Sequence, residues 1–430
     1  MVGIWWADME VTTESLGVNS WYSIPCYPWF PVPPLLPPPH STYNSMVFIS
    51  IPWLLHYSLY FITITLLYTI FISTHLISYP CPRSTSIHWG IGIIAGTTVC
   101  IQVLTGTLLG IHYTPGIYSA YYSVVHIYRE VYYGSLYRYV HSSVASPVFT
   151  TVCTHPYRGI FHGSYWYVYG VMWVGVAVFI VLMATAFMGY VLPWGQMSYW
   201  GATVITNLLS SIPCMVPWVC GGFYISQPTI SRYFIIHSTL PVSMTGLLVF
   251  HVLYLHRLSS SSNPGYGTNN RIHFYTWLVH KDTLALVSGI VVINTQVSYG
   301  VIMLAHPDNT LEVSVLYTPM HIVPEWYFLE YYSILKSIPG RASGFLVMIS
   351  YVYVLNTYGE PCSTSSLCGC TGYTGKYYTW SLLSVLVFYY LWIGVQLPQG
   401  EYISYGRGTL LVSLWCGTGY IPCGLYTLIQ

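Results

Sequence analysis

Apolar stretches of about 20 residues recur along this 430-residue chain, with polar or Pro- and Gly-containing breaks between them. A helix of about that length spans the hydrocarbon core of a bilayer. The windows lie near residues 46–77, 89–112, 137–160, 167–191, 233–255, 283–304, 343–356, 379–396 and 408–427. The first is an extra N-terminal hydrophobic helix that either spans the membrane or lies in its interface. The sequence therefore predicts an all-α membrane protein with an eight-transmembrane-helix core within residues 84–430.

The scarcity of charge supports a lipid environment. Asp, Glu, Lys and Arg make up 5% of the chain, whereas soluble domains carry about 25%. With 54% hydrophobic residues, the chain has too little polar surface to cover a soluble particle of this size. Formal net charge is +1, without a basic block or an acidic tail, so we expect the lipid membrane and no nucleic acid as a partner.

Two of the predicted helices carry a pair of histidines at the same spacing. His141 and His155 are 14 residues apart on one helix, and His237 and His251 are 14 residues apart on another. Fourteen steps of 100° end about 40° short of a whole number of turns. Each pair therefore projects from nearly one face of its helix, at two depths roughly 21 Å apart.

A single predicted span, residues 167–191, separates the two histidine-bearing helices, so they cross the membrane in the same direction. His141 is then level with His237, and His155 is level with His251. Two bis-imidazole sites result, and such ligation suits a six-coordinate haem that passes electrons. The chain has no Cys-x-x-Cys-His motif, so the haems would be non-covalent. A lone membrane histidine is more often a packing residue, but four at duplicated spacing favour haem.

The same interval of 14 residues separates Gly92 from Gly106 and Gly175 from Gly189 on two further helices. These helices and the histidine helices would form a four-helix bundle. Residues without a Cβ allow the edge of a macrocycle to approach the backbone closely. Ordinary packing of small residues instead favours spacings of four.

Arg138 and Arg158 lie near the two ends of the helix that carries His141 and His155. Their guanidinium groups are candidates for pairing with haem propionates. Interfacial snorkelling of a long basic side chain explains either arginine equally well.

Several longer motifs resemble the cytochrome b family. They are residues 102–114 (QVLTGTLLGIHYT), 158–159 with 163–165, 183–209 (beginning MATAFMGYVLPWGQ), 221–223 (GGF) and 324–327 (PEWY). The resemblance covers roughly residues 88–410 and includes the four histidines and the four glycines. Three features resemble the mitochondrial branch of the family: the PEWY form, the unsplit chain and the 14-residue interval on both helices. The chain looks like a divergent member of that branch from a protist.

The resemblance implies the core catalytic subunit of ubiquinol:cytochrome c reductase (complex III) in the mitochondrial inner membrane. His141 and His237 would bind a low-potential haem b near the outer side. His155 and His251 would bind a high-potential haem b near the matrix side. Implied partners are the Rieske iron–sulfur subunit, cytochrome c1 and other complex III subunits, in a homodimer and possible supercomplex.

The resemblance also implies two quinone sites. The outer, ubiquinol-oxidising site would be built on the PEWY residues Pro324, Glu325, Trp326 and Tyr327, with five wall positions: Phe187, Tyr190, Gly201, Ile205 and Tyr332. Quinol oxidation releases protons, so a titratable acceptor must lie within hydrogen-bond reach. Glu325 is one of few carboxylates between apolar segments, and the alternative is an acid that caps the following turn.

The inner, quinone-reducing site would be lined by His256, Lys281 and Asp282. His256 lies five residues beyond His251, nearer the same surface, and the other two residues begin the next span on that side. A surface ion pair is the alternative role for Lys281 and Asp282.

Three regions follow from this reading: a Pro-rich and then hydrophobic N-terminal extension at 1–83, a haem-binding bundle at 84–262, and C-terminal helices at 263–430. The loop at 358–376, with Cys362, Cys368 and Cys370, replaces a short family linker. One residue is inserted at 259–262 relative to the family.

Two other classes of protein remain open on the residues alone. A di-haem membrane anchor of another quinone-linked oxidoreductase would share the histidine pairs but lack a second quinone site with PEWY. A haem-free transporter would show broken helices and midplane carboxylates, and no b-type absorption band.

Overall fold

The computed structural model describes residues 46–162, 169–258, 269–301, 304–357 and 373–417. Several sequence predictions fall outside the described residues. They are the Pro-rich opening at 1–45, the motif residues 163–165, the insertion at 259–262, the three loop cysteines between 358 and 372, and the last predicted helix beyond residue 417.

The described residues are mostly helical. The α-helices are α1 Met46–Leu67, α2 Ile91–His112, α3 Ala120–Arg129, α4 Gly134–His162, α5 Tyr169–Val191, α6 Gln196–Leu208, α7 Met215–Cys220, α8 Gln227–Leu258, α9 Val279–Tyr299, α10 Leu329–Ser337, α11 Arg341–Thr357, α12 Tyr373–Val395 and α13 Gly400–Gly417. Tighter or wider helical turns cover Tyr68–Ile77, Ile87–Gly90, Leu209–Ser211, Phe274–Leu278, Pro307–Thr310 and Trp326–Phe328.

Five helical segments in the described part are long and apolar enough to cross a membrane. They are Leu55–Ile77, Ile87–His112, Gly170–Val191, Gln227–Arg257 and Phe274–Tyr299. Two shorter apolar helices cover Arg341–Val352 and Ser384–Val395. The protein is therefore a multi-pass helical membrane protein.

The chain divides into two compact units, Met1–Ile64 and Thr65–Gln430. The first unit is described only over residues 46–64, which belong to α1. The second unit contains the sites described below.

Within the second unit, α2 packs along α4, and α5 packs along α8, with a further contact between α2 and α8. Buried apolar side chains fill the space among these helices: Val99, Val144, Phe149, Val178 and Met244. Each histidine-bearing helix is thus paired with a helix that carries two of the spaced glycines.

The C-terminal helices gather around α10, which packs on α11, α12 and α13. Lys336 on α10 donates to the carbonyls of Ile393, Gly394 and Gln396 at 3.3, 2.6 and 2.6 Å. Those carbonyls lie in the last turn of α12 and just beyond it, where helical N–H partners run out, and the Ile393 carbonyl also accepts from the Gln396 N–H at 3.1 Å. The lysine therefore satisfies the end of α12 and fixes it to α10.

A short antiparallel ladder joins β1, Pro80–Pro82, to β2, Arg271–His273. Two of the three β1 residues are prolines, which carry no backbone donor. The ladder places the segment that precedes α2 beside the segment that leads into α9.

The loop before residue 324 is held against α6. Asn309 Oδ1 accepts hydrogen bonds from the backbone N–H and the hydroxyl of Ser198, at 2.8 and 2.9 Å. Trp200 Nε1 donates to the carbonyl of Ser314 at 3.2 Å. These hydrogen bonds fix the loop on α6 and so restrict the position of the PEWY residues that follow it.

Candidate functional site

The first histidine pair joins α4 to α8. The ring centres of His141 and His237 are 6.3 Å apart. His141 Nδ1 lies 2.9 Å from the Thr105 hydroxyl, and His237 Nδ1 lies 2.8 Å from the Thr185 carbonyl. A carbonyl can only accept, so His237 Nδ1 is the donor. The Thr105 hydroxyl already donates to the carbonyl of Ile101, so it accepts from His141 Nδ1.

Both rings of this pair therefore carry their proton on Nδ1. The Nε2 lone pairs remain available, which is the tautomer a metal-ligating histidine uses when its other nitrogen donates to a neighbouring oxygen.

The second pair, His155 and His251, lies one interval further along the same two helices. The ring centres are 6.2 Å apart, nearly the spacing of the first pair. The Nδ1 of His155 is buried without a hydrogen-bond partner among the described residues. The backbone of Val171 lies beside His251 without forming a well-aligned hydrogen bond. The first pair of imidazoles is thus oriented by hydrogen bonds at Nδ1, whereas the second pair is not.

The four spaced glycines each face one of these imidazoles. A Cβ built on the glycine would lie 2.5 to 3.2 Å from Cε1 of the facing ring. The pairs are Gly92 with His155, Gly106 with His141, Gly175 with His251, and Gly189 with His237. The glycines therefore leave room for the imidazole rings, and their clearance for the edge of a macrocycle stays a prediction.

The geometry of the two pairs fits a haem. A metal–imidazole bond is about 2 Å long, so a spacing near 6 Å between ring centres leaves room for one iron between two Nε2 atoms. Among the described residues, no three or more His, Cys, Asp or Glu side chains lie together in a way that could hold a metal ion. Two protein ligands are enough only for a metal whose other ligands come from a bound cofactor, as is the case for the iron of a haem.

Arg158 and Arg138 lie on α4, near its two ends. The Arg158 guanidinium lies over the Trp89 ring at 5.1 Å, and its Nε is buried without a partner in the described part. An unpaired buried donor beside the His155 level fits an acidic group of a bound haem. Arg138 is half-buried, one turn before His141.

The PEWY residues are anchored on α4, between its two histidines. Trp326 Nε1 donates to the Ser146 hydroxyl at 3.0 Å. The Tyr327 ring stacks on Phe149, with ring centres 3.9 Å apart and an interplanar angle of 2°. Both contacts join residues about 180 positions apart in sequence, so the motif sits beside the histidine-bearing helix.

Glu325 follows Pro324 and begins the turn Trp326–Phe328. Its backbone carbonyl accepts from the Phe328 N–H at 2.9 Å, but its side chain makes no capping hydrogen bond. The capping role considered as an alternative is therefore absent at this residue. Burial raises the pKa of Glu325 to about 7, which allows the carboxyl to take up or release a proton near neutral pH.

Two tyrosines lie within electrostatic reach of Glu325. Its charge acts on the hydroxyls of Tyr190 and Tyr327. The structure thus brings Tyr190 on α5 together with the PEWY residues.

The other predicted wall positions lie on three helices. Phe187 on α5 makes an edge contact with Tyr233 at 5.8 Å. A Cβ at Gly201 on α6 would meet nothing within 4 Å, and Ile205, one turn later, is half-buried. Tyr332 on α10 donates to the carbonyl of Ile322 at 3.3 Å, which ties it to the loop just before Pro324.

His256, predicted for the inner site, lies against the segment before α2. Its Nδ1 is 2.9 Å from Nδ1 of His75. Its ring stacks on Tyr79, with centres 3.9 Å apart. A cavity of about 280 Å³ lies beside these rings.

Lys281 and Asp282 begin α9 and face other residues of the same segment. Lys281 Nζ donates to the Thr85 carbonyl at 2.7 Å and lies 4.8 Å from the Trp277 ring centre. An Asp282 oxygen lies beside Gly90, 3.5 Å from where a Cβ would stand. The two side chains contact residues 85–90, whereas His256 contacts residues 75–79. The three predicted inner-site residues therefore contact the segment before α2 at two separate places.

Sequence reasoning missed the residues that hold these groups: His75, Tyr79, Trp89, Ser146 and Phe149. Each contacts a predicted site residue that is distant in sequence. The only signal in the sequence was a histidine within an apolar stretch at His75, since spacing along one helix carries no information about its neighbour.

Comparison with known proteins gives the same family over most of the chain. Residues 76–259 match the sequence model described as cytochrome b/b6/petB, and residues 312–414 match cytochrome b (C-terminal)/b6/petD. Cytochrome b of Plasmodium berghei is 40% identical over 84% of this chain and 94% of the relative. That of Toxoplasma gondii is 40% identical over 81% and 95%, and that of Phytophthora megasperma is 42% identical over 77% and 88%.

A solved structure described as a hyperthermophilic respiratory complex III has a similar fold. It aligns with a TM-score of 0.74 at 24% identity, over 83% of this chain and 95% of the matched chain. The family matches and the relatives agree with the motifs that surround the histidine pairs. This chain belongs to the cytochrome b family.

Proposed function

We propose that this cytochrome b is the catalytic core subunit of a ubiquinol:cytochrome c reductase, complex III, in the mitochondrial inner membrane. The observation that carries the proposal is the pair of facing histidines at each of two levels, with ring centres 6.3 and 6.2 Å apart. One quinone site would lie toward each side of the membrane.

The membrane topology is proposed as eight spans in residues 84–430, with a haem-binding bundle at 84–262 and C-terminal helices at 263–430. Of these spans, α4 is long enough but is not among the apolar candidates. It carries histidines, serines, threonines and two internal prolines, which lowers its mean hydropathy. Helices that line a site inside a bundle tolerate such residues.

The histidines hold the two haems b. His141 and His237 are proposed as ligands of the low-potential haem near the outer side, and His155 and His251 as ligands of the high-potential haem near the matrix side. When bound, the haems supply one-electron transfer across the membrane. Thr105 and the Thr185 carbonyl orient the first pair of imidazoles.

At the outer site, Glu325 is proposed to accept a proton from the hydroxyl of ubiquinol. Burial places its pKa at about 7, so a deprotonated carboxylate is available at neutral pH. Tyr327 is held flat against Phe149, which gives the site a rigid wall. Phe187, Tyr190, Gly201, Ile205 and Tyr332 are proposed to complete it.

At the inner site, His256, Lys281 and Asp282 are proposed to bind and protonate the quinone that is reduced. Lys281 is held by the Thr85 carbonyl, so the segment before α2 helps to place it.

The first electron from ubiquinol needs an acceptor outside this chain. The sequence contains no Cys and His set spaced for an iron–sulfur cluster. A Rieske iron–sulfur subunit docking near residues 324–327 would supply it, with cytochrome c1 and further subunits in a homodimeric complex.

A pyridine haemochrome assay on the purified complex tests the proposal. Two non-covalent haems b per copy of this chain are expected. A single haem per chain, or none, would contradict the assignment of both histidine pairs.

A further inference from the structure

A second histidine, His75, is in direct contact with His256. His75 lies in the wide helical turn Tyr68–Ile77, and its Nδ1 is 2.9 Å from Nδ1 of His256. The match to the N-terminal family sequence model begins at residue 76, one residue after His75. The contact joins residues 181 positions apart.

A hydrogen bond and one stacked tyrosine hold the two histidines in place. The ring centres of His75 and His256 are 5.1 Å apart with an interplanar angle of 21°, so the two rings lie side by side along their hydrogen bond. Tyr79 stacks on His256, with ring centres 3.9 Å apart. Arg257 and Arg271 also line the adjoining cavity of about 280 Å³. No carboxylate is among the described residues that line it. The histidine and arginine side chains therefore favour an electron-rich oxygen at this cavity.

An Nδ1 to Nδ1 hydrogen bond couples the tautomers of the two rings. One nitrogen must donate and the other must accept. If His75 donates, His256 carries its proton on Nε2 and can give it to an acceptor. His75 Nε2 then has a free lone pair that can take a proton from water.

We propose that His75 is a positioning residue and proton carrier for His256 at the inner quinone site. In this step the quinone oxygen takes the proton from His256 Nε2, His256 Nδ1 takes the proton from His75 Nδ1, and His75 Nε2 takes one from water. One proton moves from water to the quinone for each electron it receives. Both rings end neutral in the opposite tautomer, and proton exchange with water restores them. The step rests on the proposed function, which supplies the quinone and the electrons.

The test uses the purified complex with its outer site blocked by an inhibitor. The b haems are reduced chemically, quinone is added, and reoxidation through the inner site is followed by absorbance in H₂O and in D₂O. Two variants separate positioning from proton transfer. His75→Asn keeps a donor near the position of Nδ1 but cannot relay a proton, and His75→Phe removes both functions.

We expect His75→Phe to slow reoxidation by at least about tenfold and to raise the KM for quinone. His75→Asn should restore KM but not the rate, and should change the solvent isotope effect. His273→Asn is the matched control, since His273 at the end of β2 donates to the Ser78 carbonyl just before β1, and it should behave as wild type. Two haems per chain in each variant show that the complex is assembled.

Wild-type rates and isotope effects in both His75 variants would overturn the proposal. If His75→Phe does not assemble, the rate and isotope effect of His75→Asn decide alone. If quinone fails to reoxidise the haems of the wild-type complex, or an inner-site inhibitor has no effect on it, the proposed function itself is wrong and the relay falls with it.

Discussion

At the scale of single residues, the sequence position of Glu325 allows two roles, capping of the following turn and proton transfer. Its contacts distinguish between them. An acid at the start of a turn usually accepts a backbone N–H, yet the Glu325 side chain makes no such bond. Burial instead raises its pKa to about 7. A half-buried carboxyl that makes no capping bond and interacts electrostatically with two tyrosine hydroxyls is suited to proton transfer.

Replacing Glu325 with Gln should slow ubiquinol oxidation by about 10² to 10⁴-fold while both haem spectra survive, because the amide keeps the shape but cannot accept a proton. Since only the deprotonated carboxyl accepts, wild-type turnover should rise as pH increases through about 7, and this rise should disappear in the variant. Steady-state turnover across pH measures both effects. Glu312→Gln, which affects only the acceptor for the exposed Tyr122 hydroxyl, is the control. Equal turnover of wild type and Glu325→Gln at every pH would remove Glu325 from the mechanism.

Two glycines on α2 offer a second test at this scale. A Cβ at Gly106 would lie 2.9 Å from Cε1 of His141, whereas a Cβ at Gly110, one turn away, would meet nothing within 4 Å. Gly106→Ala should therefore displace the imidazole and shift or remove the spectrum of the outer haem.

Gly110→Ala should leave both haems intact and add up to about 1 kcal/mol of helix stability. Redox difference spectra of Gly106→Ala and Gly110→Ala measure whether each variant keeps both haems. Unchanged outer-haem spectra in Gly106→Ala would show that the glycine does not clear space for His141.

At the scale of helices, apolar length predicted where long helices lie but not where they begin and end. The segment predicted at 233–255 lies within α8, Gln227–Leu258, whereas the one at 283–304 overlaps α9, Val279–Tyr299, and runs past its end. Helix ends are set by caps and backbone conformation, such as the left-handed Gly300 that follows α9. Hydropathy does not report these features.

The short helices α3, α6, α7 and α10 were not predicted. They are 6 to 13 residues long, too short to give a spanning signal. Two of them nevertheless contribute residues to the candidate outer site, Gly201 and Ile205 on α6 and Tyr332 on α10.

The pairing of histidines is a property of two helices together. The argument from chain direction placed His155 level with His251, and the structure brings these rings to 6.2 Å. His251→Ala should remove the inner haem, because an iron held by two protein ligands loses one of them. The outer haem should persist, since His141 and His237 have their own hydrogen bonds.

Haem content and difference spectra of the purified complex measure this result. His280→Ala, an exposed histidine on α9, is the control and should retain two haems. A His251→Ala chain with both haems in full would show that the rings are not paired as ligands.

At the scale of the whole molecule, the sequence predicted the helical membrane class and the spacing within each helix, because periodicity is a local property. It could not predict which residues meet across the fold. Trp326 with Ser146 and His256 with His75 are each separated by about 180 positions, and no pattern along one helix indicates such contacts. The segment at residues 75–83, assigned to an extension by sequence, contacts predicted inner-site residues for the same reason.

The central claim is that electrons enter at one quinone site, cross two haems and leave at another on the opposite side. The most direct measurement is reduction of the b haems by ubiquinol in the purified complex, with each site blocked in turn and then together. An inner-site inhibitor alone should leave both haems reducible through the outer site. Inner-site and outer-site inhibitors together should abolish the reduction. Continued reduction of the haems with both sites blocked would contradict the two-site account and favour a di-haem anchor of another oxidoreductase.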